Sequence, residues 1–281
     1  MKSFLYNFAR LIILVVAIIG TFTVCLTIWG VWYDEWSGYS ASVAVSDGSC
    51  NIAVAPVMGD IVTVPYASNP EDPAAGGGAN VDAVLAYLRQ AENDPYIEGI
   101  LVRIDSYGGM PAGSEMIANA VKNSALPSVG LIREAGTSGG YLIATGADVV
   151  IASPFSDVGS IGMTMSYVEN WEQNERDGLR YVPLASAEFK DYGDPNKPLT
   201  SAEHALIERD LKIYHEQFVK EVAENRNLPI EEVAKLADGS SMPGSLALEH
   251  KLVDVLGDQE TARTWFAEQL GIPPEEVVFC E

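Results

Sequence analysis

The chain has 281 residues, enough for one large or two small domains with a buried core. It carries 39 acidic and 17 basic residues, a formal net charge of −22, which sets it against nucleic acid and anionic lipid as partners. Its apolar share of 48 % falls in frequent periodic segments, so it is not a disordered acidic tail either.

Read from the N-terminus, residues 11–33 form an uncharged run, "LIILVVAIIGTFTVCLTIWGVWY". As a helix it is about 34 Å long, enough to cross a hydrocarbon layer of about 30 Å. Lys2 and Arg10 precede the run and Asp34 and Glu35 follow it, so the N-terminus is expected to stay cytoplasmic while the rest is exported. Trp29, Trp32, Tyr33 and Trp36 suit an interfacial aromatic belt. A cleaved signal peptide has a shorter apolar region, of about 7 to 15 residues, and bulky Val24 before Cys25 disfavours a lipoprotein site. Residues 1–36 are therefore read as a cytoplasmic N-terminus plus one transmembrane anchor, 37–50 as a small polar linker, and 51–281 as one exported domain. Cys50 and Cys280 would both face the oxidising side, where they are either bridged or free.

In the exported part, "NIAVAPVMGDIVTV" alternates like a strand, and residues 69–80 form a Pro/Gly/Ala loop without a phosphate-binding fingerprint. Val81, Val84, Leu85 and Leu88 keep helical spacing. "IEGILVRID" is a strand leading through "SYGGMPAGSE" into a second helix. "PSVGLI" is a strand, "SGGYLIATGA" a helix and "DVVIAS" a strand. Such alternation predicts a layered α/β fold with much parallel pairing. Residues 200–226 form a long helix opened by a Thr200/Glu203 capping box, with Ile207, Leu211, Tyr214, Phe218 and Val222 expected as one buried stripe.

Ser138 stands among glycines in "GTSGGY", either as a helix cap or as a hydroxyl presented for chemistry. A serine needs a base to become a nucleophile. The three histidines are His204, His215 and His250. The first two lie in the long helix beside its apolar stripe and read as bystanders. Gly136 to Gly140 satisfies G-x-S-x-G, the nucleophile elbow, but "REAGT" separates the serine from its apolar strand. A lysine can serve instead if burial strips its proton, and Lys190 in "EFKDYGD" is a candidate that local sequence alone leaves as a solvent-facing residue. No CxxC or HExxH pattern supports a metal site.

"TSGGYLIATGADVVIASPFSDVGSIG", followed by "EFKDYGDPNKPLT", resembles the short-form signal peptide peptidase A family of bacterial serine proteases. "IDSYGGMPAGSE" and "DGSSMPGSLALEHKLVDVLGD" resemble two further motifs of that family, in the right order. The resemblance implies a ClpP/crotonase-like fold of repeated β-β-α units. It implies Ser138 as nucleophile, Lys190 as general base, Ser160 as the serine that orients the lysine, and Gly109 with Gly108 as the oxyanion hole. Tyr107, where the family has proline, and Gly139 are candidates for lining the substrate groove. Gly239-Ser240 stands where the family has glycine-arginine. The resemblance further implies unstructured apolar substrates such as remnant signal peptides, a ring-shaped homo-oligomer at the bacterial membrane, and no cofactor or metal. Two alternatives remain at this point: a crotonase-like acyl-CoA enzyme sharing the fold, and a non-catalytic membrane scaffold.

Overall fold

The apolar runs read as strands lie side by side in one sheet. The computed structural model describes Gly20, residues 44–63 and residues 78–280. Except for Gly20, the 11–33 run read as an anchor falls outside these residues; among the described ones no helix is long and apolar enough to cross a membrane.

In chain order, β1 (Ile52–Met58), β2 (Ile61–Val62) and β3 (Ala79–Asn80) precede α1 (Val81–Asn93). β4 (Gly99–Ser106) leads into α2 (Pro111–Lys122), and β5 (Ser128–Thr137) into α3 (Gly139–Thr145). After β6 (Val149–Ala152) and β7 (Asp157–Gly159) come α4 (Trp171–Arg176), α5 (Ser201–Asn225) and α6 (Ile230–Leu236). β8 (Ser241–Pro243), α7 (Gly244–Glu249), β9 (Val255–Leu256), α8 (Gln259–Leu270) and β10 (Phe279–Cys280) complete the domain.

The main sheet runs β10-β1-β4-β5-β6-β9, and every neighbouring pair on that path is parallel. β8 joins antiparallel to β7, so the sheet as a whole is mixed. Parallel strands bury both faces, which is why these runs are almost continuously apolar. Ile100, Val102 and Ile104 of β4 join one core with α1, α2, α3 and α5, while Leu101 points to a second core with Ala262, Phe266 and Ala267 of α8. α1 follows its expected stripe: Asn80 caps it through Ala83 N–H at 2.9 Å, and Val81, Val84 and Leu88 are buried, with Leu85 half-buried.

Three sequence expectations need correction or completion. β5 does not stop at Ile132. It changes neighbours, pairing with β6 over Val129–Ile132 and with β7 over Ala135–Thr137. Arg133 and Glu134, exposed at the change of partner, broke the apolar run and hid the rest of the strand. The α5 stripe is buried only toward the C-terminus, at Phe218 and Val222. Ile207 and Leu211 are half-buried and Tyr214 is exposed, because the N-terminal part of the helix extends past the sheet-packed core. Finally, Cys50 and Cys280 form a disulfide, with Cα atoms 5.3 Å apart, next to the parallel pairing of β1 with β10. The last residues of the stretch read as linker fold back with it: Ser46 N–H donates to Asp94 Oδ2 at 2.9 Å, and Ser46 Oγ donates to the Cys50 carbonyl at 2.6 Å.

Candidate active site

Ser138 occupies the single residue between β5 and α3, with φ 50° and ψ −124°. A side chain rarely tolerates that conformation; such outliers cost on the order of 1–3 kcal/mol and persist where the surroundings enforce them. Here they do. Ser138 N–H donates to Gly159 O at 2.7 Å, and its carbonyl accepts from Leu142 N–H at 3.0 Å. The hydroxyl makes no capping bond to α3. The helix-cap alternative therefore fails, and the tight strand-to-helix turn presents the hydroxyl to a groove. The "REAGT" objection fails with it, since Thr137 is still in the strand.

Gly108 and Gly109 face this turn from the end of β4. Both have positive φ, 110° and 154°. A Cβ on Gly108 would lie 2.8 Å from Ser138 Cβ, and one on Gly109 would lie 2.3 Å from Ile61 O. The pair is pinned by Ile61, whose N–H donates to Gly108 O at 2.9 Å and whose carbonyl accepts from Met110 N–H at 2.9 Å. The two N–H groups differ. That of Gly108 donates to Ser106 Oγ at 3.1 Å, whereas no acceptor among the described residues meets that of Gly109. Asp105, just upstream, accepts from Ala135 N–H at 3.3 Å and ties the ends of β4 and β5 together.

The groove at Ser138 is lined by Asp60, Tyr107, Gly109, Ser160, His215 and Asp238, among others. Tyr107 is 69 % exposed there, so the ring that replaces the expected proline lies against open space. Ser160 also has a positive φ of 51°; its hydroxyl donates to Gly239 O at 2.9 Å and its N–H to Ser240 O at 3.0 Å. Asp238, beside it, has its carboxyl held below the usual range by bonds from the Ser240 hydroxyl and N–H. Gly139 opens α3 against Ser114, whose Oγ would be 2.2 Å from any added Cβ.

Lys190 is not in this groove. It is exposed, in a turn of the segment 162–200, none of whose residues is buried. The expectation of a dry amine beside Ser138 is thus not met within one chain. The turn itself is fixed. Asp191 accepts from Tyr181 Oη at 3.1 Å and pairs with Lys197 Nζ at 3.3 Å, while Lys197 also pairs with buried Glu203. The hydrogen bond between these two holds the Glu203 carboxyl low and the Lys197 ammonium high. His215, read from the sequence as a bystander on α5, does line the groove. His204 instead pairs with Glu208 at the surface.

Residues 120–272 match the model of peptidase family S49. A Synechocystis protein named as a protease is 34 % identical over 69 % of this chain and 71 % of its own length. An Enterococcus faecium protein named as signal peptide peptidase SppA is 30 % identical over 63 % of this chain and 53 % of its own. The chain thus spans about half to seven-tenths of these relatives. In fold it is similar to a solved structure titled a membrane-bound stomatin-specific protease, with TM-score 0.52 and 16 % identity over 83 % of this chain and 93 % of that one. With the family model covering more than half of its length, this chain belongs to peptidase family S49.

Proposed function

We propose that the chain is a membrane-anchored serine endopeptidase in which Ser138 is the nucleophile and Lys190 of a neighbouring copy is the general base. The observation that carries this reading is the strained turn at Ser138, aimed at a groove beside a Gly109 N–H that meets no acceptor among the described residues. Lysine abstracts the hydroxyl proton as Ser138 Oγ attacks the peptide carbonyl. The Gly109 N–H receives the oxyanion. The lysine ammonium then protonates the leaving amine, and water repeats the steps on the acyl-enzyme.

A lysine base must be uncharged when it acts, and desolvation is what favours that form. One chain leaves Lys190 exposed, together with Val168, Leu179, Val182, Leu184 and Phe189 of the same segment. Cover from a second copy would bury these exposed apolar side chains. A ring of copies, on a ClpP/crotonase-like version of the layered fold, buries that surface and brings Lys190 to the next subunit's groove, where Ser160 orients it. The substrates are unstructured apolar peptides such as remnant signal peptides, and residues 11–33 anchor the enzyme with its domain outside the cytoplasm. No metal or cofactor takes part.

His215 supports a second reading, a Ser138–His215 pair within one chain, because it shares the groove. The pH profile separates the two. A lysine base gives activity that climbs toward alkaline pH, and a histidine base gives a plateau above about pH 7. Incubation with a fluorophosphonate probe tests the reading common to both: the adduct is expected on Ser138, and an unlabelled Ser138 in active protein overturns it. Absence of both labelling and peptidase activity would favour the non-catalytic scaffold.

A further inference from the structure

A second cavity, of about 320 Å³, also begins at Ser138 and Gly109. Its walls come from α2, α3 and α5. Pro111, Leu142, Met163, Ile213 and Phe218 make them apolar, yet Glu115 and Glu221 line the same space. The three helices run alongside one another from the Ser138 end. At their far ends Lys122 Nζ donates to Asn225 Oδ1 at 2.7 Å, and Asn225 Nδ2 donates to Thr145 Oγ1 at 3.0 Å. Glu115 lies four residues past Pro111, about 6 Å along its helix, and Leu142 lies the same step past Ser138. Glu221 is one turn short of the Asn225 junction. The cavity that opens beside Ser138 therefore has apolar walls with two carboxylates along them, Glu115 on the exposed side of α2 and Glu221 half-buried on α5.

Those carboxylates lack a cation. Among the described residues neither is in an ion pair; Glu221 accepts only from the neutral amide of Gln217, at 2.7 Å. The nearby ammonium of Lys122 donates to Asn225 instead. Burial pushes the Glu221 carboxyl up, and the charges of Glu115 and Glu224 push it further, against the Gln217 bond and Lys122.

We propose that this cavity receives the substrate side chain on the acyl side of the scissile bond and selects lysine or arginine there. An aliphatic stem packs on the apolar walls while its cation reaches the two carboxylates, the division of labour long basic side chains favour. A carboxylate at the end of a specificity slot sets such a preference in trypsin. Aspartate or glutamate in the substrate is repelled by the same charges. This inference rests on Ser138 as the nucleophile, since that is what makes the cavity adjacent to the cut bond.

The test compares fluorogenic peptides differing only at that residue, Lys, Leu or Glu, with the full chain and its Glu115→Gln, Glu221→Gln and double variants. The wild type is expected to prefer Lys over Leu in kcat/KM by about tenfold or more, the worth of one charge-assisted contact. The double variant should lose that preference, cleaving the Lys and Leu peptides at similar rates, while fluorophosphonate still labels it at Ser138. A wild type that prefers Leu, or a Lys preference that survives in the double variant with labelling intact, overturns the cavity assignment alone. Cleavage without labelling at Ser138 removes the nucleophile reading and the inference with it.

Discussion

The parallel sheet and the 162–200 segment use apolar residues in opposite ways. β4 buries Ile100, Leu101, Val102 and Ile104 completely or nearly so, with helices on either side. In the segment Val168 is 79 % and Leu184 94 % exposed, and its internal order comes from polar contacts around Asp191, Lys197 and Glu203. The sheet is buried by its own chain; the segment leaves its apolar side chains exposed. Ser138 and the glycines facing it stand with the sheet, Lys190 on the segment. That division is the physical argument for a catalytic pair completed by a second copy.

Substitutions sharpen the contrast. If Ser138 is the nucleophile, Ser138→Ala should lower peptidase activity by about 10⁵-fold or more while leaving thermal unfolding unchanged. Phe266→Ala empties a fully buried site and should cost about 3–5 kcal/mol in chemical denaturation. Gly109→Ala must push on Ile61 O, so it should lower kcat/KM by the equivalent of about 3 kcal/mol through a displaced oxyanion donor. If kcat/KM stays at the wild-type level, the Gly109 N–H is not the donor.

Smaller effects probe the segment. Glu203 has a lowered carboxyl pKa, so its contribution to order is present above its unfolded value, about pH 4.3, and is lost as pH falls through the depressed folded value. Lys197 is raised, so its contribution is present below about pH 10.4 and is lost only as pH rises through the higher folded value. Hydrogen-exchange protection factors around residues 190–203, corrected for the intrinsic rate at each pH, should accordingly hold across neutral pH and fall toward acid. Glu203→Gln should abolish that acid-side dependence, and an unchanged profile would mean the pair does not hold the turn. Leu184→Ala should change unfolding by less than about 0.5 kcal/mol yet weaken self-association in sedimentation. An unaltered assembly would place the interface elsewhere.

Much of the first region was legible in the sequence. Period and punctuation revealed β1, β4, β6 and the helices α1 to α3, because each is buried by local neighbours whose pattern is continuous. The turn at Ser138 and the glycine pair were legible as motifs, though not the positive φ that gives the serine its exposure. What was not legible depends on partners distant in sequence. β5 continues past Arg133 and Glu134 because β7 waits for it. The α5 stripe fades where that helix runs beyond the core, on the part whose His215 lines the groove. The disulfide could not be chosen over free thiols without knowing that β10 returns beside β1. Lys190 is legible as the base only through the motif, whereas its local sequence reads as solvent-facing, which is how one chain carries it.

The most direct measurement mixes two inactive proteins. Ser138→Ala and Lys190→Ala are each purified, unfolded or dissociated together, and reassembled, and peptidase activity is followed on a peptide substrate. Recovery of a substantial fraction of wild-type activity in the mixture, with none in either variant reassembled alone, is the result expected if each groove takes its lysine from the neighbouring copy. Mixed assemblies that form normally and stay inactive would contradict it.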